Sequence, residues 1–260
     1  EVEAQDRERP ERGIQVKLNE QTAGLPIIHL KRPPVVLVHG LWGSGDRKNK
    51  KNYTWKYFEP LINGKKLLHV LNVNYEKTNT GHLANNAEFI ELAIDDAIGM
   101  LSANGFAAMK VNIISHSMGG VITREYCRNN VDSCKTKIHK FVTIDTPHLG
   151  SELADLINLI NQQPGTTCYS MLPLIELSGR RIWLEGSNRA TLQGAFIDLS
   201  VGSEALQKLA DTQMPLTWNA IIGNAQTRTG YAYNRGLNGL WSLLMWHCDR
   251  VPDPSFVFYS

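Results

Sequence analysis

Val111-Asn112-Ile113-Ile114-Ser115-His116-Ser117-Met118-Gly119-Gly120 is the stretch whose reading decides the fold. An apolar run over 111–114 stops abruptly at small and polar residues, and a helix-compatible run over 121–127 follows at once. That order predicts a buried strand, a sharp turn and a helix. Ser117 stands at the turn, where a strained backbone pushes a hydroxyl out of the fold.

The flanking sequence repeats the alternation. Residues 35–38 are a continuous apolar run, the mark of a strand buried on both faces. The glycine-rich turn His39-Gly40-Leu41-Trp42-Gly43-Ser44-Gly45 follows. Trp55, Phe58, Leu61 and Ile62 give 54–62 helical spacing, and 67–73 reads as the next strand. Leu83, Ala87, Ile90, Ile94, Ile98 and Leu101 predict a long amphipathic helix over 82–101. Residues 141–144 form a further apolar strand. Such alternation implies an α/β fold, a mainly parallel sheet with helices on both faces. Sites in these sheets form past the carboxyl ends of the strands, so His39-Gly40, Ser117 and Asp145 are expected on one edge.

The rhythm breaks after Thr146-Pro147-His148-Leu149-Gly150-Ser151. Residues 151–216 hold an amphipathic stretch at 153–160 and a Pro/Gly/Thr loop at 164–167, and read as a cap insertion. Alternation resumes at 218–222. The apolar, aromatic stretch 237–246 reads equally as a core helix or as a surface piece. Residues 1–33 form a polar N-terminal arm, extended around 14–18 and 27–30 and closed by Pro33-Pro34. One α/β domain then occupies 34–260.

A net charge of +2 over 260 residues does not point to nucleic acid as a partner. No apolar run approaches the length of a membrane-spanning helix. The chain starts at Glu1 without a signal-peptide pattern and reads as a mature or excised piece of a longer protein. That start fits a removed export signal and leans towards a secreted or periplasmic setting. The cysteines are Cys127, Cys134, Cys168 and Cys248, and no C-x-x-C pair suggests zinc. On one continuous helix the Cα atoms of Cys127 and Cys134 would stand roughly 10 Å apart, too far for a disulfide. A helix break at Asn129-Asn130 would permit the bridge, and two unpaired thiols are the alternative.

A serine hydroxyl becomes a nucleophile when a base removes its proton and N–H groups await the oxyanion. Small neighbours (Ser115, Gly119, Gly120) allow a tight turn at Ser117, and the Met118 N–H at the helix start can donate to an oxyanion. The Leu41 N–H, after the 35–38 strand, is the expected second donor. The bland alternative for Ser117 is a helix N-cap. His116, adjacent to Ser117, is poorly placed to act as its base and reads as a packing residue.

Val-Leu-Val-His-Gly-Leu-Trp-Gly (36–43), Ser-His-Ser-Met-Gly-Gly (115–120) and Thr-Ile-Asp-Thr-Pro-His-Leu-Gly-Ser (143–151) together resemble the α/β-hydrolase superfamily. They are most similar to its lipase and esterase branch, which includes GPI-inositol-deacylase-like and triacylglycerol-lipase-like proteins. The resemblance covers 33–151 well and the rest in outline. One departure is Ser115 in the first glycine position of the G-x-S-x-G elbow, for which a slight adjustment of strand–helix packing is expected.

The resemblance implies structural roles for His39, under the oxyanion loop, and for His148, in its turn. It also implies the order serine, acid, histidine. His139 falls at the amino end of the 141–144 strand, away from the site. His247 is the only late histidine, with Asp211 or Asp145 as its acid; Asp249 comes after it, in the wrong order. The strand pattern at 256–259 stops at the chain end, where the family continues to its acid and histidine. The chain is therefore expected to be cut before both.

The function implied is a serine hydrolase of carboxylic esters, lipase- or esterase-like, working through an acyl-enzyme on Ser117 without metal or organic cofactor. A lipid ester substrate and transient contact with a membrane surface go with it. Acyl transfer, amide hydrolysis and a non-catalytic binding domain of a larger protein are the alternatives. The basic loop 47–51, with Lys56, Lys65 and Lys66, reads either as attraction to anionic lipid or as a solvated loop. The stretches 153–160 and 237–246 read either as an apolar lid or as core.

Overall fold

The computed structural model describes residues 11–14, 28–64, 68–161, 176–177, 180–181 and 193–223. The expectations for 164–167, 237–246 and 256–259, and for Lys65, Lys66, Cys168, Cys248, His247 and Asp249, lie outside these residues.

Strands β1 (Glu11–Ile14) and β2 (Ile28–Lys31) pair antiparallel, with Glu11 opposite Lys31. A second sheet holds β3 (Val35–Val38), β4 (Val70–Val73), β5 (Val111–His116), β6 (Ile138–Ile144) and β9 (Trp218–Ile221). Its order is β4-β3-β5-β6-β9 and every pairing is parallel. The helices are α1 (Phe58–Asn63), α2 (Ala84–Ala103), α3 (Met118–Asn129), α4 (Val131–Lys137), α5 (Glu152–Asn161), α6 (Gln193–Leu199) and α7 (Glu204–Ala210). The two-residue strands β7 (Glu176–Leu177) and β8 (Arg180–Arg181) form a small antiparallel pair.

All four residues of β3 are buried, as a strand covered on both faces requires. Val35 and Leu37 pack with Trp55, and against Phe58 and Ile62 of α1, on one face. On the other face Ser115 of β5 meets Thr123 of α3. Register fixes which residues share a face: Leu37 sits beside Ile114, and Val38 beside Ser115. Helix α2 buries Ala87, Ile90, Ile94 and Leu101 at the expected three- and four-residue steps. It ends at Gly105 (φ 79°), where the Phe106 N–H returns to the Leu101 carbonyl in a Schellman motif.

The described residues divide into two compact units. The first holds the five-stranded sheet with α1–α4; the second holds α5–α7 and residues 80–83. Within the second, Asp198 accepts from the Leu83 N–H and from the His82 ring, and Asn158 bridges α5 to the Phe196 carbonyl and the Ser200 hydroxyl.

Some boundaries differ from the sequence reading. The helix expected over 54–62 starts only at Phe58, because 44–57 is tied into turns by bonds such as Ser44 N–H to Asn52 O and Thr54 N–H to Ser44 O. His139 stands inside β6, not ahead of it. Helix α4 was not foreseen. Asn130, at φ −131° and ψ 58°, breaks the helical path between α3 and α4. That break brings the Cα atoms of Cys127 and Cys134 to 5.2 Å, and the disulfide forms.

Candidate active site

Ser117 links the last residue of β5 to the first of α3 at φ 53°, ψ −133°. An L-residue reaches that conformation only when its surroundings force it. Here the Ser117 N–H donates to the Ile144 carbonyl of β6 (2.9 Å), while the Ser117 carbonyl accepts from the Gly120 N–H (3.0 Å). Its hydroxyl makes no capping bond to α3, which removes the N-cap alternative. Trp42 (φ 56°) and Asp145 (φ 47°) are the other described non-glycine residues at positive φ. The three lie just past β3, β5 and β6, so strained backbone concentrates at one sheet edge, as the strand order predicts.

The two flanks of Ser117 point to opposite faces. Ser115 is fully buried and its hydroxyl lies 2.9 Å from that of Thr123. Since Thr123 donates its own proton to the Gly119 carbonyl (2.8 Å), Ser115 is the donor of the pair. A serine in the elbow's usual glycine position is thus accommodated by a hydrogen bond to α3. His116 turns to the other face and meets the edge of Trp55, with ring centroids 6.3 Å apart. Burial lowers its pKa, and the Asp145 charge only partly offsets this. His116 is neutral at pH 7 and packs under the turn.

Close approach of three segments demands glycine. A Cβ on Gly40 would stand 2.7 Å from Ser117 Cβ and 3.2 Å from Ser117 Oγ. A Cβ on Gly119 would collide with the Val38 and His39 carbonyl oxygens. The loop after β3 therefore runs directly against the serine and the start of α3. As the first residue of α3, Met118 has no intrahelical partner for its N–H. Leu41 follows Gly40 on the same turn, closed by Gly43 N–H to Gly40 O (3.1 Å).

His39 holds this loop. Its ring is buried and stacked on Tyr75 at 4.0 Å. Nδ1–H donates to the Gly40 carbonyl (2.9 Å) and Nε2 accepts the Tyr75 N–H (3.3 Å), which fixes the neutral tautomer. Desolvation takes its pKa down to about 4, against the smaller raising effect of the Gly40 bond. The Tyr75 hydroxyl donates to the His39 carbonyl, and Asn79 donates to the Gly43 carbonyl (3.2 Å). Tyr75 and Asn79 were not singled out in the sequence. Each reaches back to a loop 36 positions earlier, and no local pattern signals that.

Asp145 is exposed, and its N–H is fixed to the Ile221 carbonyl of β9 (2.9 Å). It shares the sheet edge with Ser117. Asp211 caps the C-terminus of α7, ahead of β9 rather than on a loop after a strand, and belongs to the second unit. His148 also belongs to that unit, in the turn closed by Gly150 N–H to Pro147 O (3.2 Å). No His, Cys, Asp and Glu cluster suited to a metal ion occurs among the described residues.

Residues 29–166, just over half of the chain, match the PGAP1-like alpha/beta domain. The chain is 30% identical over 198 residues to triacylglycerol lipases of Pseudarthrobacter phenanthrenivorans and Burkholderia plantarii. The match covers 75% of this chain, and 58% and 52% of theirs. The chain thus spans about half the length of the curated relatives it matches. Phospholipase PlaB from Legionella pneumophila aligns with a TM-score of 0.49 at 17% identity, over 77% of this chain and 41% of that one. The family rests on the sequence match and not on that superposition. With the parallel sheet, the strained serine and the glycine contacts around it, the match shows that the chain belongs to the PGAP1-like alpha/beta domain family, a lipase-like branch of the α/β-hydrolase superfamily.

Proposed function

We propose that this chain bears the nucleophile of a serine hydrolase of lipid carboxylic esters. One observation carries the reading: Ser117 is held at φ 53° with its hydroxyl unused by the helix cap and the Gly40 backbone against it. The names of the relatives supply the substrate class.

In this reading Ser117 Oγ attacks the ester carbonyl as a histidine takes its proton. The Oγ–C bond forms, charge gathers on the carbonyl oxygen, and the Leu41 and Met118 N–H groups receive it. The C–O bond to the alcohol then breaks, and the histidine returns the proton to the leaving oxygen. Water repeats the sequence on the acyl-enzyme, releasing the acid and restoring Ser117. His247 is our candidate base. For its carboxylate, the sheet-edge position of Asp145 fits the chemistry better than the helix end of Asp211. The disulfide suits an oxidising compartment.

A fluorophosphonate probe on the full-length protein tests this. Labelling abolished by Ser117→Ala, with circular dichroism unchanged, is expected, along with a fall of about 10⁴-fold or more in hydrolysis of p-nitrophenyl esters. A folded, complete chain that takes no label would instead be a binding domain. Hydroxamate formation exceeding ester hydrolysis when hydroxylamine is supplied would favour an acyltransferase.

A further inference from the structure

We infer that the segment around α1 is a docking site for an anionic lipid surface. Tyr57 and Leu61 lie one helical turn apart and are 77% and 82% exposed. Their neighbours Phe58 and Ile62 turn inward onto the cluster of Val35, Leu37 and Trp55. The helix is therefore anchored by one side and offers an aromatic ring and a leucine to the outside. Pro60, between them, is exposed as well.

The charge around this apolar knob is one-sided. Residues 46–61 carry Arg47, Lys48, Lys50, Lys51 and Lys56 against Asp46 and Glu59, a net +3 where the whole chain has +2. The two acids are already engaged. Glu59 takes both Nε and Nη2 of Arg47, and Asp46 accepts the Lys48 N–H (2.8 Å). Lys48, Lys50 and Lys56 are exposed, and Lys56 Nζ sits 5.2 Å from the Tyr57 ring centre. The Arg47–Glu59 pair also joins the lysine-bearing loop to α1.

Lysines set beside an exposed aromatic and a leucine match a bilayer interface: headgroup phosphates meet the ammonium groups while the apolar side chains enter the acyl boundary. A soluble polyanion would use the lysines and gain nothing from Leu61. Docking needs no catalytic serine, so the inference goes beyond the hydrolase reading and stands without it.

The test is co-sedimentation of the full-length protein with vesicles of phosphatidylcholine alone and of phosphatidylcholine mixed with phosphatidylglycerol. Ser117→Ala protein is run beside the wild type. Both should pellet with the mixed vesicles and stay in solution with the neutral ones, and high salt should weaken the binding. Lys48→Gln and Lys50→Gln should each weaken it about fivefold, and Leu61→Ser about tenfold. Hydrolysis of a soluble ester should be unchanged in these three variants. Equal pelleting with both vesicles, no pelleting with either, or binding that follows lysines and salt but ignores Leu61 would each overturn the inference.

Discussion

His39 is buried as a neutral imidazole whose two nitrogens are both used, one as donor and one as acceptor. Its pKa falls from 6.5 to about 4, so the unfolded chain binds this proton more readily than the folded one. The stability it contributes is full above pH 6.5 and is lost as the pH falls towards 4. The loss is about 3 kcal/mol, and His116 adds to it with the same sign. Denaturant midpoints measured between pH 7 and pH 4 should drop accordingly, with a shallower slope in His39→Gln; equal slopes in the two proteins would contradict this. Gly40→Ala places a methyl 2.7 Å from Ser117 Cβ. On our reading of Ser117 as the nucleophile, kcat/KM should drop about a hundredfold, since displacing it by an ångström costs about that much, and the crowding itself should cost about 1–3 kcal/mol of stability. Ser115→Ala removes one buried hydroxyl bond while Thr123 keeps its own to Gly119, which should cost about 1 kcal/mol of stability in a urea titration. At this scale Ser117 was legible because small residues crowd a strand–helix junction. The tautomer of His39 was not, because Tyr75 fixes it from another strand's end.

The sequence left open whether the helix after Ser117 breaks at Asn129-Asn130; in the fold it does, and α3 and α4 are two elements. The break at Asn130 and the Cys127–Cys134 bridge support each other, since a continuous helix would hold the sulfurs apart. Both cysteines are fully buried, so the bridge locks the far end of the helix that begins at Ser117. Closing so short a loop contributes about 2 kcal/mol. The Cys127→Ser, Cys134→Ser double variant should lose that much in guanidinium titration, and dithiothreitol should produce the same loss in the wild type. An unchanged midpoint would mean the bridge contributes nothing. The late start of α1 belongs to this scale as well. Apolar spacing marked a helical face, but Glu59 holds Arg47 and accepts from the Tyr53 hydroxyl, and Asn72 of β4 donates to that hydroxyl (3.0 Å). These partners, brought in from the loop and from β4, keep 44–57 in turns.

Over the whole molecule, the sheet order makes a further prediction. Strands β3 and β5 are flanked on both edges and at least half of each is buried, whereas β9 pairs on one edge among the described residues and is mostly exposed. In native-state hydrogen exchange the amides of β3 and β5 should therefore be the last to exchange and those of β9 among the first. Faster exchange in β5 than in β9 would contradict the order. The sequence by itself determined the alternation of strands and helices, the turn at Ser117 and the edge on which Gly40, Ser117 and Asp145 gather. Those features follow from local hydrophobic periodicity and from small residues at strand ends, which a chain carries wherever it folds. Only the tertiary structure decided that the Ser117 hydroxyl makes no capping bond, that His39 is held as one neutral tautomer, that Ser115 is paid for by Thr123, and that Cys127 meets Cys134. Each of these depends on which residues meet across strands and helices, and parallel pairing joins segments that lie tens of positions apart.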